Sequence, residues 1–314
     1  MRSDRLNSRK KRKGRGLKIF LSIIGLILLG VFVYLFVIYQ SFSSSIEKMH
    51  TPTERVSERR TEELNFQKQE PFSVLLLGVD EREGDSGRSD TMIVLTVNPE
   101  QQSTKMLSIP RDTYTEIIGK GYKDKINHAY AFGGVEMSMD TIENMLDIPI
   151  DYFVQVNMDG FKDIVDAVGG VTVYNDLSFN YDGYSFPEGE LELTGAEALS
   201  FSRMRYEDPR GDFGRQIRQR EVINAVLQEG ASVQSLWKFQ GIFDALGNNV
   251  KTNLTFEEMV DIQGKYHDAA KKLENFTIEN GYGETIDGKW MYIVPEEEMT
   301  KVQTTLKSHL GITE

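Results

Sequence analysis

The sequence predicts a single layered α/β domain behind one membrane-spanning helix. Residues 19–39 are an uncharged apolar run of 21 residues. After residue 70, short apolar runs typical of buried strands alternate with segments of helical spacing. Strands mixed with helices are typical of a layered α/β domain. The length of 314 residues is sufficient for one large globular domain.

The N-terminal region predicts how the chain is oriented in the membrane. Residues 1–18 carry nine Lys/Arg and one acid, and the apolar run follows directly. As a helix, residues 19–39 would span roughly 30 Å, the thickness of a bilayer core. The basic cluster places residues 1–18 in the cytoplasm and the chain after about residue 40 outside, as a single-pass type II protein of the cell membrane. A cleaved signal peptide is the alternative, but its apolar segment is usually only about 7–15 residues.

Composition excludes several classes of chemistry. The chain has no Cys and four scattered His, which excludes thiol nucleophiles, thiolate metal sites and disulfides and argues against a His-rich metal site. The basic tail alone could be a nucleic-acid patch. However, the other 296 residues have a net charge of −20 and no DNA-binding motif, so no nucleic-acid partner is predicted.

The predicted exported part has a stalk and a domain. Residues 40–70 are polar, carry both charges, and are predicted to be a stalk. Residues 71–314 form the predicted catalytic domain. It begins with apolar runs at 72–78, 91–97 and 104–109, which predict an up-down-up meander. Loop 79–90 and the segment after 109 should therefore lie at one end of the sheet.

The rest of the domain alternates between the two element types. Helices are predicted over 135–146, 161–170, 213–228 and 233–246, and from the starts marked by Thr194, Thr255 and Pro295. Strands are predicted over 151–156, 171–174, 273–278 and 289–294.

Two aspartates border the loop at this sheet end. Asp80 follows the first strand and Asp90 begins the second, so rigid elements hold both carboxylates. Two carboxylates with waters and ligand oxygens suit a hard cation such as Mg²⁺. An ordinary solvated, charged loop is the alternative. By the meander argument, Arg111 and Asp112 lie beside them, although an exposed ion pair would contribute little.

An arginine cluster is the most specific signal. Six arginines and no lysine fall within 18 residues, namely Arg203, Arg205, Arg210, Arg215, Arg218 and Arg220. A guanidinium grips phosphate bidentately, which lysine does not. Arg215 and Gln219 share a helix stripe with the apolar Val222 and Val226. A cation that points inward at a helix start is unfavourable, because the positive end of the helix dipole lies there. A bound anion would make this position favourable, since both the cation and the helix N-terminus would attract it.

Together these groups predict a pyrophosphate site. Metal and arginine charges neutralise the phosphates in phosphoryl transfer. No Walker A sequence and no GxSxG motif is present.

At these residues the sequence closely resembles the LytR-CpsA-Psr family, and within it the wall teichoic acid transferases of Gram-positive bacteria. The matching stretches cover about residues 70–228 and include LLLGVDER, GRSDTMIVLTVNP, KMLSIPRDTY, KINHAYAFGG, VDAVGGVTVYN and LTGAEALSFSRMRYEDPRGDFGRQIRQREVI. The family fold implied is a central mixed sheet flanked by helices. The last 85 or so residues resemble the family only in general character.

The resemblance implies an extracellular phosphotransferase. It would move an anionic glycopolymer from an undecaprenyl-pyrophosphate carrier to peptidoglycan, at the 6-hydroxyl of N-acetylmuramic acid. Asp80 and Asp90 correspond to the Mg²⁺ ligands. The phosphate clamp corresponds to Arg111, Arg203, Arg205, Arg215 and Gln219. Secondary substrate contacts correspond to Arg82, Arg88, Lys125 and Arg218.

Three questions stay open at this point. Asp112 is the candidate base for the sugar hydroxyl, but beside Arg111 its proton affinity falls and its role could be structural. A hydrolase could use the same site with water as the acceptor. A non-catalytic envelope sensor or transcription attenuator is the third hypothesis, although 18 cytoplasmic residues are too few for a DNA-binding domain.

Overall fold

The structure is a computed structural model that describes residues 48–312, apart from 56, 61, 81–86, 231–246 and 248. The predicted cytoplasmic tail, the predicted span and the predicted helix 233–246 lie outside the described residues. Among the described residues, no helix combines the length and the apolar character needed to cross a membrane.

The described residues form strands and α-helices throughout the chain. The strands are β1 (Phe72–Val79), β2 (Ser89–Asn98), β3 (Ser103–Ser108), β4 (Tyr114–Ile117), β5 (Tyr122–Lys125), β6 (Tyr152–Asn157), β7 (Val171–Asn175), β8 (Phe179–Tyr181), β9 (Tyr184–Phe186), β10 (Gly189–Leu193), β11 (Val250–Thr252), β12 (Leu273–Thr277), β13 (Tyr282–Ile286) and β14 (Lys289–Ile293). The helices are α1 (His128–Leu146), α2 (Met158–Val168), α3 (Gly195–Arg203), α4 (Asp212–Gly230), α5 (Phe256–Lys265), α6 (His267–Lys271) and α7 (Glu296–Leu310).

A mixed sheet of six strands is the centre of the domain, in the order β11-β6-β1-β2-β3-β12. β1, β2 and β3 pair antiparallel in sequence, so the predicted meander is confirmed. β6 pairs parallel to β1, and β12 pairs parallel to β3. The predicted fold class, a central mixed sheet flanked by helices, is therefore confirmed.

Both faces of this sheet are buried, because alternate side chains of its strands pack on different helices. Leu75, Leu77 and Val79 pack with α1 and α7 on one face. Phe72 and Val74 pack on the other face, in a cluster that includes residues of α4, α5 and the segment before α6. The continuous apolar run of β1 results from this double burial.

A second core lies away from the main sheet. Its buried residues come from β7 to β10, α2, α3 and the middle of α4. The Thr194 and Glu197 capping box that begins α3 is confirmed. Helix α1 begins at His128, earlier than predicted, because Gly133 and Gly134 break its regular backbone and conceal the first turns from a periodicity argument.

Part of segment 40–70, which is predicted to be a stalk, contacts the domain in the described structure. Arg55 pairs with Asp140 and Glu143 of α1, and Arg60 pairs with Asp151 at 2.5 Å. The exposed fractions of the Arg55 and Glu143 side chains are 6% and 4%. The side chains of Glu143 and Asp151 are buried, so the described part of residues 48–60 packs on the domain through Arg55 and Arg60.

Candidate active site

The adjacent ends of β1 and β2 hold both aspartates predicted as metal ligands. Gly78 pairs with Thr91 and Val79 pairs with Ser89, so Asp90 is the extra residue of a β-bulge. Asp80 directly follows Val79, and its N–H donates to the carbonyl of Arg88 at 3.5 Å. The meander therefore brings Asp80 and Asp90 to one edge of the sheet.

Arg111 lies beside Asp90 because β3 runs antiparallel to β2. Its Nη1 donates to Asp90 Oδ1 at 2.7 Å. Burial lowers the pKa of Arg111, but the Asp90 carboxylate opposes this effect, and the pKa is raised overall. Asp112 Oδ2 lies 3.8 Å from Arg111 Nε. The predicted position of Arg111 and Asp112, at the end of the sheet that carries Asp80 and Asp90, is confirmed.

The β4–β5 hairpin brings Lys125 to Asp112. Lys125 Nζ donates to Asp112 Oδ1 at 2.6 Å, and both side chains are about one-fifth exposed. The hairpin pairs Tyr114 with Lys125, which returns the chain to the end of the meander. Asp112 is thus held between two cations.

Arg215, in the first turns of α4, is the buried cation of the site. Its Nη2 lies 2.7 Å from Asp212 Oδ1 and donates to the carbonyl of Asp90 at 3.4 Å. Its buried Nε has no hydrogen-bond partner among the described residues. Burial lowers the pKa of Arg215 most, Asp212 opposes this effect, and Arg111 and Arg205 lower the pKa further. An anion at this point would relieve the unfavourable charge.

A cleft of about 430 Å³ opens next to this cluster. Asp112, Arg205 and Asp212 contribute charged groups to its wall. The other lining residues are Pro110, Arg210, Phe213, Gln216, Trp290 and Tyr292. The cluster of Asp90, Arg111, Arg215 and Asp212 therefore adjoins a cleft that carries charged groups and aromatic rings.

Arg218, which the resemblance predicts as a substrate contact, is held by buried contacts within the protein. Its Nη1 donates to Asp208 Oδ2 at 2.6 Å, and its Nη2 donates to the carbonyl of Met204 at 2.6 Å. The side chains of Arg218 and Asp208 are 2% and 0% exposed. Arg210 also binds Asp208 and pairs with Asp176. These ion pairs fix the segment between α3 and α4.

The other predicted site residues are not brought into this cluster by any contact that the structure describes. Arg88 and Arg203 are exposed, and Gln219 is half-buried. Arg82 lies outside the described residues.

Several lining residues of the cleft were not among the predicted site residues, and Asp212 and three aromatic residues are the main ones. Asp212 is the acid in the first turn of α4 and the ion-pair partner of Arg215. Phe213, Trp290 and Tyr292 supply the aromatic rings. Trp290 is one of two tryptophans in the chain, which was a usable signal, but its distance in sequence from the motifs gave no reason to place it here.

Fold and site together define an α/β protein with a cleft in which arginines, carboxylates and aromatic rings meet. The LytR_cpsA_psr family model matches residues 35–308 of the chain. The chain therefore belongs to the LytR-CpsA-Psr family.

Named relatives and solved structures agree with this membership. The chain is 50% identical over 304 residues to the Bacillus subtilis (strain 168) protein named polyisoprenyl-teichoic acid–peptidoglycan teichoic acid transferase TagU, covering 97% of this chain and 99% of that one. The crystal structure of B. subtilis TagU matches with a TM-score of 0.62 and 51% identity, over 77% of this chain and 97% of that one. A structure of TagT bound to LI-WTA matches with a TM-score of 0.71 and 33% identity, over 83% of this chain and all (100%) of that one.

Proposed function

We propose that the chain is a polyisoprenyl-teichoic acid–peptidoglycan teichoic acid transferase. The observation that carries the proposal is the buried guanidinium of Arg215, which lies beside Arg111 and Asp90 with its Nε unpartnered among the described residues. Asp212 pairs with Nη2 of this guanidinium, and a pyrophosphate oxygen would accept the bond from Nε. The curated relatives named as this transferase, at about 50% identity, support the choice of substrates.

The arginines bind and orient the pyrophosphate of the donor. Arg111 and Arg215 grip it from the sheet side and the helix side, and Arg205 reaches it from the cleft wall. A guanidinium fork holds two phosphate oxygens at once, which fixes the phosphorus for attack. The same charges stabilise the negative charge that develops on the leaving lipid phosphate.

The acceptor hydroxyl attacks the phosphorus that carries the polymer. One bond forms between this oxygen and phosphorus, and the bond to the bridging oxygen breaks, so polyisoprenyl phosphate leaves. Asp112 is the proposed base for the proton of the hydroxyl, which is the 6-hydroxyl of N-acetylmuramic acid in the proposed acceptor. Lys125 and Arg111 hold the Asp112 carboxylate in place.

Asp80 and Asp90 fit a Mg²⁺ ion in the chemistry of their donor atoms. Both are carboxylates at one sheet edge, and Mg²⁺ commonly takes one or two carboxylates plus waters and phosphate oxygens. The described residues contain no cluster of three or more acidic, His or Cys side chains that would form an all-protein cage. When bound there, Mg²⁺ would neutralise phosphate charge.

The proposed location is the outer face of the cell membrane. Residues 1–18 would stay in the cytoplasm, residues 19–39 would span the bilayer once, and the catalytic domain would be extracellular. The charge step between the basic tail and the acidic remainder supports this topology. The carrier lipid and peptidoglycan would then both lie on the side of the active site.

The test is a product assay with the full-length chain in detergent. It contains Mg²⁺, an undecaprenyl-pyrophosphate-linked teichoic acid precursor and a soluble peptidoglycan fragment, and both products are followed by mass. We expect a phosphodiester-linked adduct and undecaprenyl phosphate. Arg111→Ala and Asp90→Asn should each lower the rate by at least roughly 100-fold, because each removes charge stabilisation at the transferred phosphate. The exposed-lysine variant Lys271→Ala is the control.

Other outcomes would contradict parts of the proposal. Free polymer without an adduct would identify a hydrolase. Tight lipid binding without turnover would favour a sensor. Full activity under chelation would remove the metal from the mechanism.

A further inference from the structure

The cleft lies beside the charged cluster of Asp90, Arg111 and Arg215, and one of its walls is aromatic. The proposed phosphoryl transfer gives this aromatic wall no role. Trp290 and Tyr292 of β14 stack with ring centroids 6.5 Å apart, and Phe213 meets Tyr292 edge-on at 5.7 Å. Tyr292 is buried and Trp290 is 50% exposed. The indole therefore offers an open face at the cleft, supported from behind by a buried ring.

The β13–β14 hairpin is built to hold these two rings in place. A Cβ at Gly283 would lie 2.5 Å from the indole Nε1 of Trp290, and one at Gly281 would lie 2.1 Å from Cζ of Tyr292. The ring of Trp290 therefore lies against Gly283, and the ring of Tyr292 lies against Gly281. A side chain at either glycine would displace the ring. The hairpin fixes both ring planes.

The hairpin is also attached to the candidate base. The N–H of Tyr292 donates to the carbonyl of Asp112 at 2.9 Å, and Thr113 forms a bridge with Tyr292. The aromatic wall is therefore tied to the backbone of Asp112 and lines the same cleft.

The chemistry of this wall suits a sugar ring. One face of a pyranose presents C–H groups, and the negative face of an aromatic ring attracts their partial positive charge. The ring edges carry hydroxyl and amide groups, and Asp112, Asp212 and Gln216 line the same cleft to bind them. Apolar walls with a few polar groups are typical of specific small-ligand sites.

We infer that Trp290 is the platform of the acceptor subsite, on which an amino-sugar ring of the peptidoglycan glycan stacks. This inference rests on the proposed function, because it assigns the ring to the acceptor. Tyr292 and Phe213 support the platform, and the contact of β14 with Asp112 sets the position of the sugar hydroxyl relative to the base.

The first test is binding, and it does not require turnover. The chain has two tryptophans, so Trp237→Phe leaves Trp290 as the only indole fluorophore. The full-length variant in detergent is titrated with a soluble tetrasaccharide of alternating N-acetylglucosamine and N-acetylmuramic acid. We expect a saturable fluorescence change with the tetrasaccharide. The absence of a change, or a change with the lipid-linked donor alone, would overturn the acceptor assignment.

The second test is kinetic. Trp290→Ala should raise the KM for the glycan roughly tenfold, the loss expected from one aromatic contact, and leave the KM for the donor unchanged. Trp290→Phe should recover most of the affinity. Gly283→Ala should also raise the glycan KM, because it displaces the indole without removing it. The matched control is Tyr282→Ala, which removes an exposed aromatic side chain on the same hairpin but outside the cleft.

The results separate this inference from the proposed function. An unchanged glycan KM in Trp290→Ala, or an equal rise in Tyr282→Ala, would overturn the platform. A rise in the donor KM alone would assign the ring to the sugar of the donor and overturn the acceptor subsite. A wild-type chain that binds the tetrasaccharide but forms no adduct would contradict the transferase and leave the sugar subsite standing.

Discussion

Two arginines on the same helix show how one residue type serves two purposes. Arg215 and Arg218 are both buried near the start of α4. Arg218 has a fully buried carboxylate partner in Asp208, and Arg218 together with Arg210 holds the pKa of that carboxyl well below its ordinary range, although burial alone would raise it. Arg215 has only the half-buried Asp212 and keeps one donor without a partner among the described residues. Arg218 is therefore held within the fold at Nε, Nη1 and Nη2, whereas Arg215 is not held at Nε.

The contrast predicts opposite effects of the same substitution. Arg218→Met should lower the free energy of unfolding by about 3 kcal/mol, because it leaves the buried Asp208 with Arg210 as its remaining ion-pair partner and removes two bonds to backbone carbonyls. Arg215→Met should leave the stability of the ligand-free chain unchanged or raise it by about 1 kcal/mol, because it removes a desolvated cation, and it should abolish transfer. Urea unfolding of both variants is the measurement. A loss of several kcal/mol in Arg215→Met would contradict the account.

At the scale of elements, helix α7 is tied to the sheet by a buried histidine. The His309 ring lies 2.7 Å from Thr96 Oγ1 and 3.0 Å from Ser103 Oγ. Its carbonyl accepts from Asn98 Nδ2 at 2.6 Å. Burial, with Lys105 nearby, lowers the pKa of His309 to about 4. The neutral ring is therefore part of the folded structure.

This lowered pKa makes stability depend on pH in a defined window. Between about pH 6.5 and pH 4 the unfolded chain binds a proton at His309 that the folded chain does not, so stability falls as the pH falls through this range. The contribution lost between pH 7 and pH 5 should be about 2 kcal/mol. Urea unfolding at both pH values measures it. His309→Gln should reduce this dependence, whereas substitution of the exposed His267 to Gln should not. An unchanged dependence in His309→Gln would contradict the account.

The elements that sequence reasoning predicted are those with a strong local signal. The meander follows from continuous apolar runs, and the α3 and α5 starts follow from their capping boxes. The β13–β14 hairpin was only half predicted, because the side chains of β13 are largely exposed and lack a buried face. The residues at this end of the sheet were predictable from topology. Whether each arginine pairs with a carboxylate of the fold was not predictable. The pairing depends on carboxylates such as Asp208, and only the tertiary packing brings these next to a particular arginine.

At the scale of the whole molecule, one domain carries both the charged cluster around Asp90, Arg111 and Arg215 and the cleft lined by Trp290 and Tyr292. The cluster uses the ends of β1 and β2, the segment after β3 and the start of α4, and the aromatic wall comes from the last hairpin. Segments far apart in sequence are therefore needed for one site. Arg55 and Arg60 pair with carboxylates of the same domain, so the chain contacts the domain well before β1.

The measurement that tests the central claim most directly is the wild-type reaction run in H₂¹⁸O, with donor, Mg²⁺ and peptidoglycan fragment present. In the proposed reaction a sugar hydroxyl attacks phosphorus and water takes no part. We therefore predict an adduct and a polyisoprenyl phosphate that both lack ¹⁸O. An ¹⁸O atom in the phosphate of released polymer or of the lipid, without adduct, would show that water is the acceptor and would contradict the transferase.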